Sequence, residues 1–169
     1  MGASRIRPLA VVMHTVVSLA VVSLAGCSSS SSTAPPDTVT SRAEVEAFVD
    51  EAVEFAKKNG KDAAIEQFDA PDGQFQRGEL YIYAYDFNGN VLAHGGNPAL
   101  VGQNLMGLTD STGAKVVAQI AELARAGSGW LQFRWPNPDH ANADEVKFGY
   151  VRKVADDWFV GSGTYASTE

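Results

Sequence analysis

The sequence predicts an α+β domain, one five-stranded antiparallel sheet led by a long N-terminal helix. Three observations carry this expectation. Val45, Phe48, Val49, Ala52, Val53 and Ala56 recur at helical spacing, making an apolar stripe along one face. The stretch Glu79 to Asp86 alternates tyrosines with Leu80, Ile82 and Ala84, the period-two pattern of a strand with two covered faces. Gly129–Trp135, Val146–Val154 and Trp158–Tyr165 read as three more strands. Helices set apart from a run of strands, rather than alternating with them, favour α+β over a parallel sheet.

Each element has its own local signal. Ser41 with Glu44 three residues on is a capping box, each side chain accepting a backbone N–H left free at the helix start. Lys57 and Lys58 suit the negative C-terminal end, and Gly60 is placed to stop the helix in the left-handed region. A shorter helix is expected over Asp62–Phe68, ended by Pro71-Asp72-Gly73. In the strand Glu79–Asp86, Tyr81, Tyr83 and Tyr85 share one face and Leu80, Ile82 and Ala84 the other. Asn88-Gly89 supplies a pair of residues tolerant of positive φ, so Val91–His94 is expected to return antiparallel. Gly95–Asp110 is long and irregular but carries Leu100, Val101, Leu105 and Met106, which marks it as a cover rather than a linker. A second long helix is expected over Ala114–Ala126, burying Val116, Val117, Ile120, Leu123 and Ala124. Both sheet faces are apolar or aromatic. One therefore needs the first helix, and the other the cover segment and the second helix.

Composition bounds the function. Among 169 residues, 13 are Lys or Arg and 20 are Asp or Glu, a formal net charge of −7. So acidic a chain argues against nucleic-acid binding, which relies on cations against phosphate. A single cysteine makes no internal disulfide and no multi-thiolate zinc site. That cysteine closes a leader. Arg5 and Arg7 precede an uncharged run from Pro8 to Pro36, and Leu24-Ala25-Gly26-Cys27 resembles the bacterial lipobox. The expected organisation is a signal peptide over 1–26, a lipidated Cys27 with a Ser/Pro-rich linker over 27–40, and one domain over 41–169. An uncleaved span over Leu9–Gly26 is the competing reading, weakened by His14, Thr15, Ser18 and Ser23. Losing Arg5 and Arg7 leaves the mature chain more acidic still, so acyl chains would have to hold it to a membrane. The serine after Cys27 points, in a Gram-negative host, to the periplasmic side of the outer membrane.

The run Gly78–Gly89 with Leu92-Ala93-His94, then Leu100–Leu105, Phe133–Pro138, Tyr150–Val154 and Asp157–Tyr165, resembles the single Cache domain of bacterial and archaeal sensors. The resemblance covers nearly all of the mature chain, in order. It implies a PAS-like five-stranded sheet behind a long helix, and extracytoplasmic recognition of small metabolites, often short carboxylates. It lends binding only. No second span or cytoplasmic output follows in this sequence, so a signal is expected to pass through a membrane signalling or transport partner.

Arg134 is the leading carboxylate candidate, because a guanidinium matches a carboxylate with two parallel hydrogen bonds. Strand alternation, however, sets Arg134 opposite Trp135, so both border one pocket only if the strand bends near Pro136. Tyr81, Tyr83 and Tyr85 offer hydroxyls over an apolar floor, and His94 at the end of the return strand is placed to donate to an anion. Lys153 and Asn104 are weaker candidates, a solvated charge and a loop tie. No nucleophile–base pair is visible, so an enzyme is not expected. Asp86-Phe87-Asn88-Gly89-Asn90 starts like a calcium loop but has its glycine two places early and no glutamate at 97. Asp139, His140, Asp144 and Glu145 read as a solvated loop, and no cofactor or metal is expected. The chain thus reads as a tethered binding module for a short organic acid. The alternative is a non-catalytic scaffold whose acidic surface docks a membrane partner.

Overall fold

The structure is a computed structural model, and it describes residues 40–166. The signal peptide, Cys27 and most of the linker expected from the sequence lie outside the described residues. In chain order come α1 (Arg42–Asn59), α2 (Lys61–Asp69), β1 (Gln76–Arg77), β2 (Leu80–Tyr81), β3 (Tyr83–Asp86), β4 (Val91–His94), α3 (Val116–Arg125), β5 (Ser128–Asn137), β6 (Ala143–Ala155) and β7 (Trp158–Tyr165). The main sheet is five-stranded and antiparallel in the order β4-β3-β7-β6-β5.

The start of α1 is the expected capping box: the Glu44 N–H donates to Ser41 Oγ at 3.3 Å, and the Ser41 N–H to Glu44 Oε2 at 2.7 Å. Ser41→Ala removes one half of it and is expected to cost about 1 kcal/mol. Urea unfolding should report the loss as a lower midpoint at unchanged slope. The six stripe residues of α1 are all buried. With Phe68 of α2, they pack on Leu80, Ile82, Ala84 and Ala93, and Phe75 completes that core edge-on to Phe68 at 4.9 Å between ring centroids. On the opposite face, α3 buries Val117, Ile120, Ala121 and Ala124 against Tyr81, Tyr83, Tyr85 and Phe159. Both faces are therefore covered, as the apolar pattern requires.

Three local expectations are corrected. The strand expected over Glu79–Asp86 is interrupted: Leu80–Tyr81 pairs with Gln76–Arg77 in a separate small hairpin, and the Ile82 N–H is taken by the Phe75 carbonyl at 3.3 Å. Only Tyr83–Asp86 enters the main sheet, between β4 and β7. The β3–β4 connection is wider than a two-residue turn. Asp86 Oδ1 accepts the N–H groups of both Asn88 and Asn90, so its carboxylate shapes the loop and Gly89 alone of the expected pair takes positive φ. A Cβ at Gly89 would also stand 2.8 Å from Cβ of Met106 in the cover. Finally, Gly60 has φ 88° but ψ 165°, so it ends α1 in the extended glycine region rather than the left-handed one and starts α2 at once.

Candidate functional site

Central to the site is a charge that the sequence left unmarked. Lys147 sits on β6, opposite Phe133 of β5 and Tyr165 of β7. It is 1% exposed. Alternation along β6 puts it on the face of Gly149 and Val151, which are also buried. Its ammonium donates to the Tyr81 hydroxyl at 2.7 Å and lies 3.4 Å from that of Tyr165. It also stands over both rings, 4.0 and 4.5 Å from their centroids. Among the described residues it makes no ion pair. Burial pushes its pKa down to about 7, against the opposing fields of Glu79 and Asp139. The Tyr165 hydroxyl donates onward to the Pro136 carbonyl at 2.8 Å, which fixes that ring at the mouth of the strand pair.

Two adjoining chambers meet here. The inner one is lined by Tyr81, Tyr83, Tyr85, His94, Trp135 and Lys147, and is floored by Val116, Val117 and Ile120 of α3 and by Phe133. It is small, at about 10 Å³, room for about one water. The outer chamber, about 320 Å³, lies beneath the cover and shares Tyr81, His94 and Trp135 with the inner one. Leu100, Leu108, Asp110, Arg134 and Asp144 are among its other walls. Three rings separate the two: His94 packs on Tyr81 at 5.2 Å and on Trp135 at 6.4 Å.

Five of the six residues expected at the site, Tyr81, Tyr83, Tyr85, His94 and Trp135, converge on the inner chamber. The tyrosines are buried, and desolvation raises their pKa values, so they face the cavity as neutral hydroxyls. His94 is also neutral. Burial first, and the field of Lys147 second, bring its pKa down to about 3. Its Nδ1 accepts the Asn97 N–H at 2.9 Å, which leaves the ring proton on Nε2 as its one donor. The backbone N–H of His94 donates to Asp69 at 2.7 Å, tying the end of β4 to α2.

Arg134 is placed differently. β5 is an edge strand, and Arg134 borders the outer chamber only. Its Nε donates to Asp144 Oδ2 at 2.6 Å and its Nη2 to the Asp144 carbonyl, so the guanidinium fork is already occupied by the neighbouring strand. Its outward backbone N–H donates to Asp110 Oδ2 at 3.1 Å. Arg134 and Trp135 do border one chamber, but at the end of the strand and with opposite commitments. Lys153 pairs with Asp156, and Asn104 ties its own loop through Asn88 and Asn90. His140 Nδ1 is 2.7 Å from Glu145, which also accepts from Asn137. Among the described residues no group of three or more His, Cys, Asp or Glu is arranged to hold a metal.

The model of the family Single Cache domain 2 matches residues 40–168. The sensor histidine kinase MctS of Rhizobium johnstonii is 36% identical over 86 residues, covering 50% of this chain and 18% of the kinase. Among solved structures, a methyl-accepting chemotaxis protein from Vibrio parahaemolyticus aligns at TM-score 0.64 and 30% identity, over 73% of this chain and 86% of that one. A periplasmic sensor domain of a chemotaxis protein aligns at 0.59 and 29%, over 75% and 92%. At 24% identity, a Cache chemosensory domain solved for carboxylic acid recognition shares the fold with TM-score 0.62, over 74% and 92%. No described helix is long and apolar enough to cross a membrane.

Proposed function

Because the chain belongs to the single Cache domain 2 family, we propose that it binds a short organic acid outside the cytoplasm, tethered to a membrane through Cys27. Cache sensor domains are non-catalytic ligand-binding modules of chemoreceptors and sensor kinases. The observation that carries the acid is Lys147, an ammonium 1% exposed that makes no direct ion pair among the described residues and feels Glu79 and Asp139 only at longer range. A buried charge without a counter-ion is costly, and a bound carboxylate supplies the missing partner. The Tyr81 hydroxyl and the Nε2 proton of His94 give further donors, and the apolar floor from α3 packs against the carbons next to the carboxylate. The small volume of the inner chamber, about 10 Å³, limits the acid to a few carbons and requires lining side chains to give way on entry.

Titration calorimetry of the full-length protein in detergent against C2–C4 acids tests this. Binding should favour the charged lysine and so raise its pKa from about 7. Protons are then taken up on binding at and above neutral pH, and affinity falls as pH climbs past 7. Repeating the titration at pH 8 in buffers of different ionisation enthalpy should give different heats; equal heats would remove Lys147 from the contact. No heat with any acid would favour the scaffold reading, to which the small volume of the inner chamber lends support. The tether is tested separately. Labelled palmitate should enter the wild-type protein and not Cys27→Ala.

A further inference from the structure

The outer chamber has a charge pattern of its own. Three ionised side chains border it: Asp110, Asp144 and Arg134. Asp144 and Arg134 neutralise each other through the 2.6 Å ion pair. Among the described residues Asp110 makes no ion pair. Its Oδ1 accepts from the Thr112 N–H at 2.9 Å, the Thr112 hydroxyl at 2.6 Å and the Ala114 N–H at 3.0 Å, and its Oδ2 from the Arg134 N–H at 3.1 Å. Four neutral donors hold the carboxylate in place and hold it ionised without cancelling its charge. These same contacts join the end of the cover to the edge of β5, so the group cannot swing away when a ligand arrives.

We propose that Asp110 is a specificity-determining residue, whose fixed negative charge makes the site select acids with one carboxylate over acids with two. This rests on the reading that a ligand carboxylate occupies the Lys147 end. An acid anchored there points its far end through the Tyr81, His94 and Trp135 boundary into the outer chamber. A methyl or hydroxyl at that end meets Leu100, Leu108 and Trp135 without penalty. A second carboxylate meets Asp110, and the charge of Arg134 is already offset by Asp144. Asp110 is half-buried and Asp144 exposed, so solvent screening keeps the discrimination moderate, about tenfold rather than thousands.

The experiment compares butyrate with succinate, equal in carbon number and differing by one carboxylate, by calorimetry on the full-length protein in detergent at pH 7. Wild type should bind butyrate about tenfold tighter. Asp110→Asn should shrink that ratio by about threefold or more, and Arg134→Gln, which leaves Asp144 unpaired, should enlarge it. Glu66→Gln removes an equal charge from an exposed position on α2 and should leave the ratio alone. Because the two site variants move the ratio in opposite directions, a general loosening of the cover cannot imitate the result. If Asp110→Asn fails to fold, Asp110→Ser, which keeps a small acceptor for the loop without the charge, takes its place. A ratio unchanged in both variants, or shifted the same way in both, overturns the assignment while leaving acid binding intact. Failure of either acid to bind overturns acid binding along with it.

Discussion

Lys147→Met is expected to weaken acid binding strongly and, in the same protein, to raise the melting temperature. The two effects have one cause. The ammonium is buried against hydroxyls and ring faces, with Glu79 and Asp139 acting on it only at longer range. Burial without a counter-ion destabilises the fold, and an unbranched apolar side chain of similar length removes that cost. Tyr81 loses its 2.7 Å donor, but its hydroxyl keeps Tyr165 at 3.4 Å, so the gain is reduced and not cancelled. Each 1 kcal/mol regained should appear as a rise of roughly 2–8 °C by calorimetry. Binding should weaken by about 30-fold or more, the usual consequence of removing one member of a buried charge pair.

The pH dependence has a definite sign. The folded pKa of Lys147, about 7, lies below its ordinary value of 10.5. Between those values the unfolded chain holds more protons, so wild-type stability rises with pH across the window. The advantage of Lys147→Met should accordingly be largest at and below pH 7 and shrink toward pH 10.5. A variant that melts lower than wild type at pH 6, or binds acid as tightly as wild type, would show that the lysine is structural.

Gly161→Ala is expected to destabilise the fold and to weaken acid binding together. A Cβ there would stand 2.5 Å from Cε2 of Tyr83 and 2.7 Å from the Tyr150 carbonyl. Neither neighbour has room to move. Tyr83 is buried between α3 and the sheet, and the Tyr150 carbonyl belongs to the β6 side of the β6–β7 ladder. The expected cost is about 1–3 kcal/mol, with acid affinity falling as Tyr83 is driven into the inner chamber. Gly107→Ala is the matched control: its Cβ meets nothing within 4 Å, and thermal unfolding should scarcely change. Equal melting temperatures for the two variants would mean that β7 tolerates a side chain where the packing leaves no space.

Those two glycines carry the same letter in the sequence, and only packing tells them apart. The same holds for the cations. Arg134 was the natural candidate by chemistry, and Lys147 was legible only as one more charge on a strand beside Glu145 and Val146. A signal did exist, since Lys147 shares its strand face with Gly149 and Val151. Alternation alone, however, does not say which face of β6 is roofed. Tyr165 was missed for a related reason: its hydroxyl reaches Pro136 and the lysine across strands that are distant in the chain.

The sequence by itself determined the elements and their buried faces. The α1 stripe, its capping box, the tyrosine face and the α3 core residues are all local periodicities, and backbone geometry converts such patterns directly into structure. The tertiary structure decided where charge is buried and where it is neutralised. β6 lies between β5 and β7 with α3 above, so Lys147 is cut off from water while Arg134, on the edge strand, reaches Asp144. Burial of a charge depends on every element packed around it. No window along the chain contains that information.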